Sequence, residues 1–179
     1  MYKQVGLSFN ADDCIGCMAC EIACKNENQT PSHIRWRKVK KVTPELYLSL
    51  SCNHCDNPEC FRVCPERAFR KRQDGIVEID ESRCNGCQIC VSVCPYEAPQ
   101  FDPETHKVSK CQMCYPRQDK GLSPACIDAC TTGALQLVDL IHFTDSNAVR
   151  SLPGFPDIHI TNPSIVFYPV QPRKRYFLK

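Results

Sequence analysis

An α+β fold of four repeated strand-loop-helix units is the architecture this sequence predicts, and three observations carry it. Sixteen cysteines in 179 residues fall into four groups of four. A run of alternating apolar residues, or a hairpin signal, stands in front of each group. After the last group the chain changes character, with five of its 14 prolines and no cysteine between about residue 140 and 179.

The groups are Cys14, Cys17, Cys20 and Cys24; Cys52, Cys55, Cys60 and Cys64; Cys84, Cys87, Cys90 and Cys94; and Cys111, Cys114, Cys126 and Cys130. The first and third read C-x2-C-x2-C-x3-C. The second stretches to C-x2-C-x4-C-x3-C and the fourth to C-x2-C-x11-C-x3-C. A [4Fe–4S] cube takes four thiolates. A tight loop offering three of them at i, i+3 and i+6 wraps one side of it, and the fourth, on a short helix, reaches the neighbouring cube in two-cluster ferredoxins. Sixteen ligands therefore serve four [4Fe–4S] clusters with none left over. Zinc favours two separated C-x2-C pairs over three cysteines packed into seven residues. A disulfide scaffold is opposed by cysteines three apart on one loop, which pair poorly with each other, and by the lack of a signal peptide before them.

Taken in order, Val5, Leu7 and Phe9 alternate with polar or small residues and predict a strand entering the first loop. Leu46 to Leu50 predicts the strand before Cys52. Arg70–Gln73, the Asp74-Gly75 turn and Ile76–Asp80 predict a hairpin entering Cys84, and Pro99 to Val108 another before Cys111. Ala134 to Leu137 supplies a strand after Cys130. Gly16 and Gly86 stand where the backbone must curl round a cube. Groups two and four carry Asn53-His54 and Gln112-Met113 there instead, which reads as a second, modified type of loop.

Cys64 and Cys94 are each followed by proline, the ending of bacterial ferredoxin loops, whereas Cys24 and Cys130 are followed by Lys25 and Thr131. This points to two ferredoxin-like 2[4Fe–4S] modules nested in sequence. Groups two and three form one, residues 51–104. Groups one and four form the other, residues 1–50 plus 105–139, and residues 140–179 form an extended C-terminal arm. Each cube then takes three cysteines from one group and the fourth from its module partner: Cys14, Cys17, Cys20 with Cys130; Cys111, Cys114, Cys126 with Cys24; Cys52, Cys55, Cys60 with Cys94; and Cys84, Cys87, Cys90 with Cys64. A plain tandem, one with two and three with four, is the rival. The prolines exclude a long helix from the arm, and Ile158, Ile160, Ile165, Val166, Phe167 and Tyr168 are too apolar for a free tail. It packs on a partner subunit or, in the plainer reading, over its own modules.

The 42% apolar fraction includes the cysteines, and without them only about a third of the chain is left to build a core. The clusters are therefore expected to organise the fold, as structural zinc does in small domains. A net charge of +2 names no partner class, and no apolar run reaches the ~18 residues of a transmembrane helix. The N-terminus carries no export signal. A cytoplasmic protein is expected, or one exported or membrane-associated only with a signal-bearing partner.

Four closed four-thiolate sites leave no iron open to substrate, and the chain has no G-x-G-x-x-G, Walker loop or nucleophile elbow. A wire for electrons, with no catalytic site of its own, is the chemistry that remains. Arg83, Lys110 and Lys25 flank cluster cysteines and either raise potentials or are solvated loop residues. Arg35, Trp36, Arg37, Lys38, Lys40 and Lys41 dock an acidic partner, line a cofactor path with Trp36 as anchor, or form a solvated strand face. No aromatic ladder accompanies them, so nucleic acid is not a partner. His54 is read as a hydrogen-bond donor to a cluster rather than a ligand.

YLSLSCNHCDNPEC (47–60), VCPERAFRKRQDGIVEID (63–80), CNGCQICVSVCPYEAPQF (84–101), KCQMCYPRQDKG (110–121) and HITNPSIVFYPVQPR (159–173) resemble the iron–sulfur (B) subunit of the dimethyl sulfoxide reductase type molybdopterin oxidoreductases. The resemblance covers nearly the whole chain and implies the nested ligand pairing. It also implies a large catalytic subunit carrying molybdenum or tungsten on a pterin, and often a quinol-linked membrane anchor at the other end. The compact stretch Thr30 to Leu46 is shorter than in the typical subunit, which leaves a soluble two-subunit enzyme open. A polyferredoxin serving a hydrogenase or diffusing freely, and a zinc-rich binding module, are the alternatives.

Overall fold

Alternation at the start of the chain becomes the middle strand of its main sheet. The computed structural model describes residues 3–171. β1 (Val5–Asn10) buries Val5, Leu7 and Phe9. It pairs antiparallel with β8 (Leu135–Asp139), Leu7 opposite Leu137, and parallel with β9 (Ile165–Tyr168), Leu7 opposite Ile165. The strand before cysteine group one and the strand after group four are thus neighbours.

Between these strands lie three hairpins and five helices. β2 (Lys38–Thr43) pairs with β3 (Leu46–Leu50) across a bulge near Lys41, β4 (Phe69–Lys71) with β5 (Val77–Ile79), and β6 (Gln100–Asp102) with β7 (Lys107–Ser109). The β4–β5 turn holds Gly75 at φ +85, the left-handed conformation that its Asp-Gly sequence favours. α1 (Ala19–Asn28) places Cys20 and Cys24 four apart on its buried face. α2 (Glu59–Arg62), α3 (Ile89–Val93), α4 (Tyr115–Gln118) and α5 (Ala125–Asp128) are each about one turn. α1 packs on α5, and α2 on α3, so helix contacts join group one to group four and group two to group three.

The largest apolar cluster joins Val5, Leu7 and Phe9 to Leu48, Leu135, Phe155, Ile165 and Phe167. Phe167 meets the edge of Phe9 at 6.4 Å and of Phe155 at 4.8 Å, and Phe155 stacks on Tyr96 at 5.2 Å. The described part of the stretch from residue 140 therefore lies over the chain's own body, and this replaces the reading of Ile165, Val166 and Phe167 as cover for a partner. Its backbone also clips the second cysteine loop: Ser164 N donates to Asn53 O at 2.9 Å, and Asp56 N to Asn162 O at 2.8 Å. Pro172 and the residues after it, which the arm was expected to include, lie outside the described residues.

The basic run divides. Lys40 and Lys41 are exposed, as a solvated face requires. Trp36 and Arg37 are buried, and the Trp36 indole donates to Ser109 Oγ at 3.0 Å. Trp36 and Arg37 lie in the bend before β2 and turn into the core, whereas β2 itself runs outward to Lys40 and Lys41, which explains the split. Among the described residues no helix is long and apolar enough to cross a membrane.

Candidate cluster sites

Each cysteine loop makes the same backbone turn, two of them with glycine and two without. The position before the second cysteine is left-handed in all four: Gly16 (φ 70), His54 (φ 43), Gly86 (φ 75) and Met113 (φ 51). The turn directs amides inward, and Gly86 N and Met113 N donate to Cys84 Sγ and Cys111 Sγ at 3.4 and 3.3 Å. Successive amides of this kind form a concavity suited to an anion. Groups two and four therefore keep the loop conformation that their lack of glycine had suggested they abandon.

Two hollows show which cysteines meet. One is lined by Cys52, Cys55 and Cys60 of the second group and Cys94 of the third, with His54, Tyr96 and Thr161. The other is lined by Cys14, Cys17 and Cys20 of the first group and Cys130 of the fourth. Among the remaining eight cysteines, Cys24 has Cys126, Cys114 and also Cys20 as charge neighbours, Cys111 has Cys24, Cys126 and also Cys52, and Cys90 has Cys84, Cys87 and Cys64.

The thiols fit a cationic inorganic group and fit poorly as bare thiolates. Burial, reinforced by neighbouring cysteines, pushes Cys24 and Cys55 up to about 12 and Cys90 to about 11, and Cys60 and Cys111 higher still. Such thiols stay protonated at neutral pH until a metal supplies the opposing charge. Polar groups without a protein partner face the same space. His54 is fully buried, and its Nδ1 accepts Val77 N–H at 3.0 Å, which puts the proton on Nε2. Among the described residues that Nε2 has no partner, and neither do the side-chain atoms of Asn53; both residues line the hollow of Cys52. Burial first, then nearby Lys110, holds the His54 pKa well below its usual value, so the imidazole is neutral. An outward N–H donor beside four sulfurs suits a sulfide-bearing cluster.

Several contributors were not legible as such. Lys25 donates to the carbonyls of Thr30, Pro31 and Ile34 and so ties down the loop after α1, while Arg83 stays exposed. Thr161 comes from the C-terminal stretch, bonds Tyr96 Oη at 2.7 Å and also bonds Cys55. Arg37 is 2% exposed, and its guanidinium donates to Ser49 Oγ and Ser51 Oγ, each at 2.9 Å. Ser49 Oγ in turn lies 3.3 Å from Cys20 Sγ. The signal for Arg37 was the facing strand, where Ser49 and Ser51 alternate with leucines and mark a polar face turned inward.

Comparison with known proteins shows the family. Residues 43–140 match the model of the 4Fe-4S dicluster domain, and residues 7–28 that of the 4Fe-4S binding domain. The chain is 34% identical to the probable anaerobic dimethyl sulfoxide reductase subunit YnfG of Escherichia coli, over 94% of this chain and 90% of that protein. It is 34% identical to the B subunit of the anaerobic dimethyl sulfoxide reductase of Haemophilus influenzae, over 93% and 90%. With the B subunit of the polysulfide reductase of Wolinella succinogenes it shares 38% identity over 78% of each protein.

Proposed function

The chain belongs to the iron–sulfur B-subunit family of the dimethyl sulfoxide reductase type molybdopterin oxidoreductases, and from that premise we propose that it is the electron-transfer subunit of such an enzyme. It holds four [4Fe–4S] clusters between a large molybdopterin catalytic subunit and a quinol-linked membrane subunit or soluble redox partner. The compartment is that of the complex. The observation that carries the reading is the meeting of Cys52, Cys55 and Cys60 with Cys94 about one hollow, matched by Cys14, Cys17 and Cys20 with Cys130 about another. It supports two nested modules, and the remaining ligand sets are Cys111, Cys114, Cys126 with Cys24, and Cys84, Cys87, Cys90 with Cys64.

A [4Fe–4S] group held by four thiolates supplies one-electron chemistry with no iron open to substrate. The chain's part is to hold, space and insulate. Cys20 acts on Cys24, and Cys52 on Cys111, which supports a first site beside the fourth and a fourth beside the second. Cys60 packs against the cluster of Cys84 and Cys90, which sets the second beside the third. Cys17 and Cys87, at the two ends of this row, are the exposed cysteines, while Cys24, Cys52 and Cys111 in its middle are buried. Electrons then enter and leave at the ends, and water is kept from the middle.

Anaerobic purification of the tagged chain from its native cells, with metal analysis, tests the proposal. Iron for four clusters, together with molybdenum or tungsten in a large co-eluting subunit, is the expected result. The same iron with neither pterin metal nor partner would make the chain a free polyferredoxin.

A further inference from the structure

Arg37 and Lys110 are the two basic side chains that the described residues bury, at 2% and 0% exposure, and neither has a carboxylate partner among those residues. Arg37 is held by Ser49 and Ser51 and leaves Nε without a partner. Lys110 Nζ donates to the carbonyls of Val77 and Cys111. A buried cation that only neutral groups contact is costly unless an anion lies beside it. Every other buried charged side chain here is an acid, and Glu21, Glu78 and Asp102 are each paired with a basic group.

The positions of the two cations are specific. Arg37 holds Ser49 Oγ, which lies 3.3 Å from Cys20 Sγ, and its charge neighbours include Cys24, Cys111 and Cys126 as well as Cys20, so on the proposed pairing it stands where the first and fourth sites meet. Lys110 precedes Cys111 in the chain and acts on Cys60 and Cys94, so it stands where the fourth and second sites meet. We infer that Arg37 and Lys110 are fixed counter-charges at the two inner junctions of the electron path, each raising the reduction potentials of the two centres it separates. The inference rests on the four-cluster reading proposed above. One electron taken from an external donor adds one negative charge to a four-thiolate centre, with no bond made or broken. A positive charge held nearby, where water cannot screen it, favours that reduced form. Arg37 and Lys110 touch no reacting atom, and their role is positioning of charge.

The test is a redox titration of the anaerobically purified full chain with dithionite, followed by electron paramagnetic resonance. Signals are assigned beforehand from Cys→Ser variants of each set. Iron content and four reducible centres in the unsubstituted chain test the four-cluster reading on their own. In Arg37→Gln, the first and fourth centres should each become about tenfold harder to reduce, which is 59 mV for a one-electron couple, while the second and third stay put. Lys110→Gln should move the fourth and second instead. Arg37→Lys and Lys110→Arg keep the charge and should keep the potentials. Fully loaded glutamine variants with unmoved potentials, or with all four centres shifted alike, would overturn the inference. Should a glutamine variant fail to take up iron, the charge-keeping variants decide: full loading with unchanged potentials upholds it, and failure to load there as well overturns it.

Discussion

At two glycines of the cysteine loops a single hydrogen stands where a Cβ would meet an obstacle. Gly86 sits at φ +75 with the His106 backbone carbonyl where a Cβ would project, and Gly16 sits at φ +70 with the Tyr47 ring 2.5–2.8 Å from that point. The left-handed conformation alone costs an L-residue about 1–2 kcal/mol. The obstacles differ in kind, because a ring can rotate away and a backbone carbonyl in the tight β6–β7 hairpin cannot. Gly86→Ala is therefore expected to lose iron from the third site on purification. Gly16→Ala should keep its iron with a modest fall in melting temperature, and Tyr47→Ala added to it should recover part of that fall. Iron per chain and thermal unfolding followed by circular dichroism measure both, and equal behaviour of the two variants would refute the distinction. His54 and Met113 adopt the same turn without glycine. Nothing in a single sequence marks a histidine or methionine for a left-handed turn, so the spacing of the cysteines was legible there and the conformation was not. Arg37 was hidden for a related reason: a charge in a basic run gives no sign that its counter-charge is inorganic.

Elements with a periodic signature were readable, and those held only by tertiary contact were not. β3 occupies Leu46–Leu50 as alternation predicts, and the Asp74-Gly75 turn located the β4–β5 hairpin. β9 is a continuous apolar run among prolines, so periodicity could not say what it packs on. Its partner is β1, some 160 residues earlier, and the parallel register is set by Phe9 and Phe167 lying opposite each other. Phe167 is fully buried between Phe9 and Phe155. Removing such a ring costs about 3–5 kcal/mol, so Phe167→Ala should lower the melting temperature of the isolated chain by many degrees. An arm that served only a partner would leave the isolated chain's melting point unchanged and weaken the complex alone. The second cysteine loop gives a further readout. Because Ser164 and Asn162 hydrogen-bond that loop, Phe167→Ala should also speed chelator release of its iron more than that of the other sites.

At the scale of the whole molecule the cysteines are core residues as well as the proposed ligands. The apolar clusters that hold the fold include Cys20 and Cys126 in one, Cys84 and Cys90 in a second, and Cys24, Cys52 and Cys111 in a third. If the sets cross between groups as proposed, a lost ligand acts at a distance in sequence. Cys94→Ser is expected to perturb the centre of Cys52, Cys55 and Cys60 and to spare that of its own loop, as read by assigned resonance signals; loss of the Cys84 centre instead would favour tandem pairing. Removing all the iron tests the dependence of the fold itself. About a third of the chain is apolar once cysteines are set aside, and among the described residues the secondary structure is short, with four of the five helices single turns that cannot stand alone. Two buried cations, Arg37 and Lys110, would lose the anions beside them, a penalty of several kcal/mol for each charge. Together these are comparable to what a domain of this size holds in reserve. The iron-free chain is therefore expected to lose its near-ultraviolet circular dichroism and cooperative melting, and to regain both when iron and sulfide are restored anaerobically. Exchanging Arg37 and Lys110 together for methionine should lessen that collapse in the iron-free state while lowering the potentials of the loaded one. A native spectrum after full chelation would show that the polypeptide packs without its clusters, and that the cations are balanced by something other than iron–sulfur charge.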